Sequence, residues 1–195
     1  TLFAIFFIIV PLSINIVKEK SLGTHIRLLV SPMPYSVQIM GKTITYLIIS
    51  LFQFLMILCV AKFIFPLIDL PGFKTDGILL SIIGLTIFAA LAAIGLGILI
   101  GTVAKTQEQS APFGATLVVI LAAIGGVWIP VFVMSDFMQH FSKISPMNWA
   151  LDGYYSLILR NQSIIQIIPN IILLTLFYFI TLFAAIYYDK YKREE

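Results

Sequence analysis

Five long apolar stretches fill most of this chain, at residues 2–17, 44–68, 78–104, 113–129 and 171–188. Each is close to or above the roughly 17–25 residues that cross a bilayer as a helix. Only 11% of the 195 residues are charged and 60% are hydrophobic, whereas a water-soluble domain carries about 25% charged residues. In hydrocarbon every backbone N–H and C=O must be paired internally, which leaves helices or a closed barrel. The stretches lack the in–out alternation of barrel strands. The sequence therefore predicts an all-α, polytopic membrane protein: a single transmembrane domain over 1–195, with five spanning helices.

The chain opens at Thr1 and runs straight into Leu2-Phe3-Ala4-Ile5. It has no charged n-region and no small-residue cleavage site, so no signal peptide is expected. Thr1 reads as a cut point inside a longer protein. The single cysteine, Cys59, excludes an intrachain disulfide framework and a cysteine zinc cluster. It is expected to be a packing residue of an apolar helix. The net charge of +3 is too small and dispersed for a nucleic-acid partner.

Loop charge sets an orientation, because Lys and Arg concentrate on the cytoplasmic side. Eight basic residues, Lys18, Lys20, Arg27, Lys42, Lys105, Lys190, Lys192 and Arg193, fall on one side of the five spans. Four, Lys62, Lys74, Lys143 and Arg160, fall on the other, with Lys62 near a helix end where it can snorkel. The expectation is a cytoplasmic segment 18–42, a cytoplasmic Lys105 loop and a cytoplasmic C-terminus.

Within the first span Pro11 predicts a kink, with Ser13 and Asn15 available to satisfy the freed backbone groups. In the segment 18–42, Thr24 after Gly23 suits a helix N-cap. Ile26, Leu29 and Val30 fall at i, i+3 and i+4, the pattern of a short amphipathic helix, and Pro32 and Pro34 end it. Interfacial packing is the alternative use of such a helix. In the third span Ala89, Ala93, Gly97 and Gly101 recur every four residues. They form a groove that lets a neighbouring helix backbone come close. Packing within the subunit is the expected use, a dimer seam the alternative. The polar loop 105–112 predicts a tight hairpin between the third and fourth spans. Residues 130–169 contain two amphipathic pieces too short to span, with Trp149, Tyr154 and Tyr155 suited to the bilayer interface. They read as a re-entrant helical hairpin on the outer face.

Catalytic chemistry is missing from the pattern. Gly41-Lys42-Thr43 looks like the end of a phosphate-binding loop, but the position that needs glycine is Ser36. His25 and His140 fall on opposite sides and cannot share a metal. No carboxylate pair, nucleophile elbow or His-Glu-x-x-His occurs, so neither an enzyme activity nor a bound cofactor or metal is expected of this chain. Asn161-Gln162-Ser163 matches the short glycosylation pattern. Asn15, Gln53 and Thr86 are the intramembrane polar residues, candidates to touch cargo, with hydrogen bonding between helices their more usual role.

Two regions resemble the permease (membrane) subunit of a type-2 ATP-binding-cassette exporter. One is Lys18-Glu19-Lys20-Ser21-Leu22-Gly23-Thr24-His25-Ile26-Arg27-Leu28, followed by Ser31-Pro32 and Gly41-Lys42. The other is Gly125-Gly126-Val127-Trp128-Ile129-Pro130 with Met134, Ile144-Ser145-Pro146, Asn148-Trp149 and Gly153. Ser21-Leu22 is an insertion relative to the family pattern. The resemblance implies that the five spans are the family's second to sixth helices. It implies a partner ATPase holding ATP and Mg, and a second permease copy, identical or not, in a bacterial plasma membrane. It also implies a coupling element toward the ATPase made of Lys18, Glu19, Lys20, Gly23, Thr24, Ile26, Arg27, Leu29 and Val30. Pro130, Met134, Pro146, Trp149 and Gly153 would form an outer gate. No residue selects a cargo. An ion-coupled carrier and a non-transporting membrane scaffold remain the alternative classes.

Overall fold

The computed structural model describes residues 1–22, 35–68, 77–160 and 164–194. The predicted coupling residues Gly23, Thr24, Ile26, Arg27, Leu29 and Val30 lie outside the described residues, as do Lys74 and Asn161. The described residues form helices and turns without strands. The order is α1 (Leu2–Phe6), α2 (Ile9–Ser21), α3 (Tyr35–Cys59), α4 (Leu79–Val103), α5 (Gln107–Ile124), α6 (Asp136–Ser142), α7 (Pro146–Ile158) and α8 (Ile168–Glu194). A π-helical turn (Val60–Ile64) and a 3-10 turn (Phe65–Ile68) prolong α3, and the 3-10 turn Ile164–Ile167 leads into α8. Among the described residues four helical runs are long and apolar enough to cross a membrane: Leu2–Ser21, Val37–Leu67, Leu79–Val103 and Ile164–Lys192. The chain is a multi-pass helical membrane protein. The fifth expected span, at 113–129, falls on α5. That helix has 18 residues and opens on Gln107, Glu108, Gln109 and Ser110, so it is less apolar than the other four.

Helix α4 is the centre of the bundle. Leu85, Ala89, Ala90, Ala93 and Ile94 are fully buried, and α2, α3, α7 and α8 pack around it. A helix apolar on every face is a core helix. Its many Ala and Gly residues let several neighbours approach together. Helices α3 and α8 instead turn Ile48, Phe52, Met56, Phe179, Ile180 and Phe183 outward.

Several boundaries differ from the sequence expectation, each for a local reason. The first span is interrupted at Phe7–Ile8, one turn before Pro11. A residue with an N–H at position 11 would bond the Phe7 carbonyl; here Val10 N–H takes it at 3.1 Å. The run then continues to Ser21 rather than ending at 17. Helix α3 begins at Tyr35 rather than 44, and Ile39 and Thr43 on its added turns are buried. The segment 18–42 is therefore helical at both of its ends. Helix α5 starts at Gln107 rather than 113. Thr106 caps it by accepting from Gln109 N–H at 3.2 Å, while the Gln109 amide oxygen accepts from Lys105 N–H at 3.0 Å. This is a variant of the capping box. The same helix ends at Ile124 rather than 129, where Gly126 takes φ +85°, a conformation that favours glycine. Helix α8 extends beyond 171–188 in both directions. Cys59, expected to be packed, is exposed.

Candidate functional site

The predicted small-residue groove receives α2. A Cβ on Gly97 would lie 2.9 Å from Leu12 Cδ2, and one on Gly101 would lie 2.8 Å from Ile16 Cβ. Leu12 and Ile16 are one turn apart on one face of α2. The next residue on that face is Lys20, whose ammonium donates to the carbonyls of Gly101 at 3.1 Å and Thr102 at 2.7 Å. These carbonyls belong to the last turn of α4, where no intrahelical donor is available. A cation there also meets the negative end of the helix dipole. Ala89 and Ala93 are fully buried further along α4. Gly95 sits about 200° around the helix from Gly97 and opens a second seam. Its Cβ would collide with Thr181 Oγ1 and stand 3.2 Å from the Tyr178 carbonyl of α8.

Glu19, beside Lys20, forms an ion pair with Lys42 of α3. Both side chains are partly buried, at 29% and 19% exposure, so water screens the pair less than a surface pair. Gln38, Ile39 and Thr102 line the same small cleft. The structure thus brings Glu19, Lys20 and Lys42 together where α2 and α4 end and α3 begins. Lys18, Glu19 and Lys20 are among the residues expected to couple to the ATPase. Lys18 is exposed, whereas Glu19 and Lys20 turn back into their own subunit. The signal missed was the need of the α4 C-terminus for donors, which sequence spacing alone does not tie to Lys20.

At the other end of α4, about 24 Å along its axis, α7 seats against the bundle. Gly153 permits this: its Cβ would lie 2.8 Å from Leu85 Cδ2 of α4. Two turns into α4, the Thr86 hydroxyl donates to the Ile82 carbonyl at 2.7 Å and stands 2.7 Å from the Tyr154 hydroxyl. With its own proton committed, Thr86 accepts from Tyr154. Ser145 Oγ donates to the Leu121 carbonyl at 3.2 Å and the Asn148 amide donates to the Gly125 carbonyl at 3.3 Å, which ties the start of α7 to the end of α5. Pro146 is buried at the first turn of α7. Trp149 donates from its indole to the Lys143 carbonyl at 2.6 Å and meets the Phe177 ring edge-on at 6.2 Å. Pro130 is exposed, and the Met134 carbonyl accepts from the Gln139 amide at 2.9 Å. Asp152 accepts from Asn170 of α8 at 3.2 Å and from Arg160 at 3.3 Å.

The cargo candidates are engaged between helices. Asn15 donates to the Tyr46 hydroxyl at 3.2 Å and Gln53 to the Ala4 carbonyl at 3.3 Å. Tyr46 rather than Asn15 reaches the backbone near the proline, donating to the Pro11 carbonyl at 3.4 Å. Thr86 is fully buried, so in this conformation no cargo reaches it. An apolar cavity of about 320 Å³ lies nearby, bordered by Phe3, Phe54, Leu58, Ile82, Leu151 and Tyr154.

Residues 1–187 match the family model described as ABC-2 family transporter protein. The chain belongs to the ABC-2 transporter family. This ABC-2 chain is 25% identical over 171 residues to the linearmycin resistance permease protein LnrN of Bacillus subtilis (strain 168), covering 88% of the chain and 42% of LnrN. It is 25% identical over 159 residues to the probable multidrug ABC transporter permease YbhR of Escherichia coli (strain K12), covering 80% of the chain and 41% of YbhR. It is 27% identical over 151 residues to the putative transport permease YvfS of Bacillus subtilis (strain 168), covering 77% and 59%. The chain spans less than half the length of the first two relatives. No solved structure gives a significant match. The family expected from the Lys18–Leu28 and Gly125–Gly153 motifs is the family found.

Proposed function

We propose that this ABC-2 chain is the membrane-spanning core of a permease that exports cargo by alternating access, driven by a separate ATPase. The observation that carries the reading is the family match over 1–187, together with relatives named as resistance and multidrug permeases. In this reading five helices span: the α1–α2 run, α3, α4, α5 and α8. Helices α6 and α7 make the outer re-entrant hairpin, with Pro130, Met134, Pro146, Trp149 and Gly153 as its gate residues. The segment 18–42 faces the cytoplasm and meets the ATPase, which supplies ATP and Mg; this chain binds neither. A second permease copy completes the path, and the C-terminus is cytoplasmic in a bacterial plasma membrane.

Mechanically the reading needs a membrane core whose parts move as units when the ATPase closes. Coupling between two sites requires that their contacts differ between the two states. The close seams at Gly95, Gly97 and Gly101 give α2, α4 and α8 the packing of such a unit. The outer hairpin, tied to α5 by Ser145 and Asn148 and to α4 by Tyr154, is positioned to follow either helix. Affinity purification of the full-length protein from its native membrane tests the proposal. Recovery of an ATPase with a complete phosphate-binding loop is expected. A protein purified alone, whose transport runs on a sodium or proton gradient, would place it among ion-coupled carriers.

A further inference from the structure

Glu19, Lys20 and Lys42 are the charged side chains that structure the ends of three helices at once. Lys20 closes the last turn of α4 through two carbonyls. Glu19, on the adjacent position of α2, holds Lys42 of α3. Residues 23–34, which join α2 to α3 in sequence, are thus bracketed by two stems locked to each other and to α4. The register that permits this is set by glycine. Gly97 admits Leu12 and Gly101 admits Ile16, and the helical repeat then delivers Lys20 to the α4 terminus. A larger residue at 101 would push α2 away and break both carbonyl contacts.

We infer that Glu19, Lys20 and Lys42 are positioning residues that make the ends of α2, α3 and α4 one rigid block, so that a push on either stem displaces α4 itself. The inference rests on the proposed permease reading for what supplies the push, and on the geometry alone for the block. It adds a role within the subunit to the coupling role expected of Glu19 and Lys20. Two charge interactions of different kinds share the load. The ion pair fixes α2 to α3, and the ammonium–carbonyl contacts fix α2 to α4. Reversing the pair preserves the first and leaves the second untouched. Removing the Lys20 charge breaks the second.

Spin labels at Leu22→Cys and Val103→Cys, both exposed positions, in an otherwise cysteine-free full-length protein in nanodiscs, read the block directly. The expected wild-type result is a single narrow distance distribution that ATP and the partner ATPase leave in place. Lys20→Met should lose the narrow peak, while Lys20→Arg, which keeps the charge and donors, should retain it. A second label pair, Leu22→Cys with Met40→Cys, an exposed position of α3, should lose its narrow peak in Glu19→Gln and recover it in the Glu19→Lys/Lys42→Glu exchange. A Lys20→Met distribution as narrow as wild type would overturn the inference. So would a wild-type distribution that splits when ATP and the ATPase are added. Failure of the wild-type protein to assemble with any ATPase would sink the permease reading instead, and the nucleotide-free comparison would still decide the block.

Discussion

Gly101 of α4 and Ile16 of α2 meet at backbone distance: a Cβ on the glycine would stand 2.8 Å from the Ile16 Cβ and 3.0 Å from the Ser13 carbonyl oxygen. Gly97 makes the same approach to Leu12 one turn away. A leucine at either position has no space without moving the helix, an overpacking cost of about 2 kcal/mol. Gly97→Leu should therefore lower the thermal stability of the purified protein clearly more than Leu99→Ala, since Leu99 is only partly buried. Equal melting temperatures for the two variants would contradict the seam.

The Thr86–Tyr154 hydroxyl pair joins the central helix to α7 in a buried setting. Interhelical hydrogen bonds in membrane proteins average about 0.6 kcal/mol by double-mutant cycles. Thr86→Val, Tyr154→Phe and the double variant should give a coupling of about that size in unfolding measurements. A coupling of zero would show that the two hydroxyls do not meet in the membrane.

The proposed orientation rests on the eight-to-four asymmetry of basic residues. Ser21 and Lys143 are both exposed and lie at opposite ends of the bundle. In a cysteine-free full-length background, Ser21→Cys should react with an impermeant thiol reagent from the cytoplasmic face and Lys143→Cys from the outer face. Labelling of both from one side would refute the arrangement.

What the sequence disclosed and what it hid follow from the range of the forces involved. The apolar runs declared their helices, because hydrocarbon forces helical pairing on any long apolar segment. The Gly97/Gly101 groove was visible as a four-residue repeat, but its occupant was not, since a glycine face does not name the helix that fills it. Gly95 escaped notice because its seam with Tyr178 and Thr181 rests on one glycine without a repeat. Helix ends were misplaced where polar residues continue a helix beyond hydrocarbon, as in Tyr35–Thr43 and Gln107–Ser110. The Thr106-x-x-Gln109 capping signal was legible in advance and would have moved the start of α5 correctly. The contacts of Glu19 with Lys42 and of Lys20 with the α4 carbonyls were hidden, because these partners come from elements distant in sequence.

In the proposed function this chain is the membrane part of a machine powered by a separate ATPase. ATP hydrolysis by the purified full-length protein, alone and with its ATPase in the same nanodiscs, decides that proposal, with Leu29→Asp as the paired variant. A charge at the position expected to enter the ATPase cleft would be buried without a partner, at a cost of about 3 kcal/mol. No hydrolysis by the protein alone, and stable co-assembly with the ATPase, are expected of the wild type. Leu29→Asp should lose that co-assembly with membrane insertion intact. Saturable hydrolysis by the protein alone, or normal co-assembly and transport in Leu29→Asp at normal expression, would contradict it.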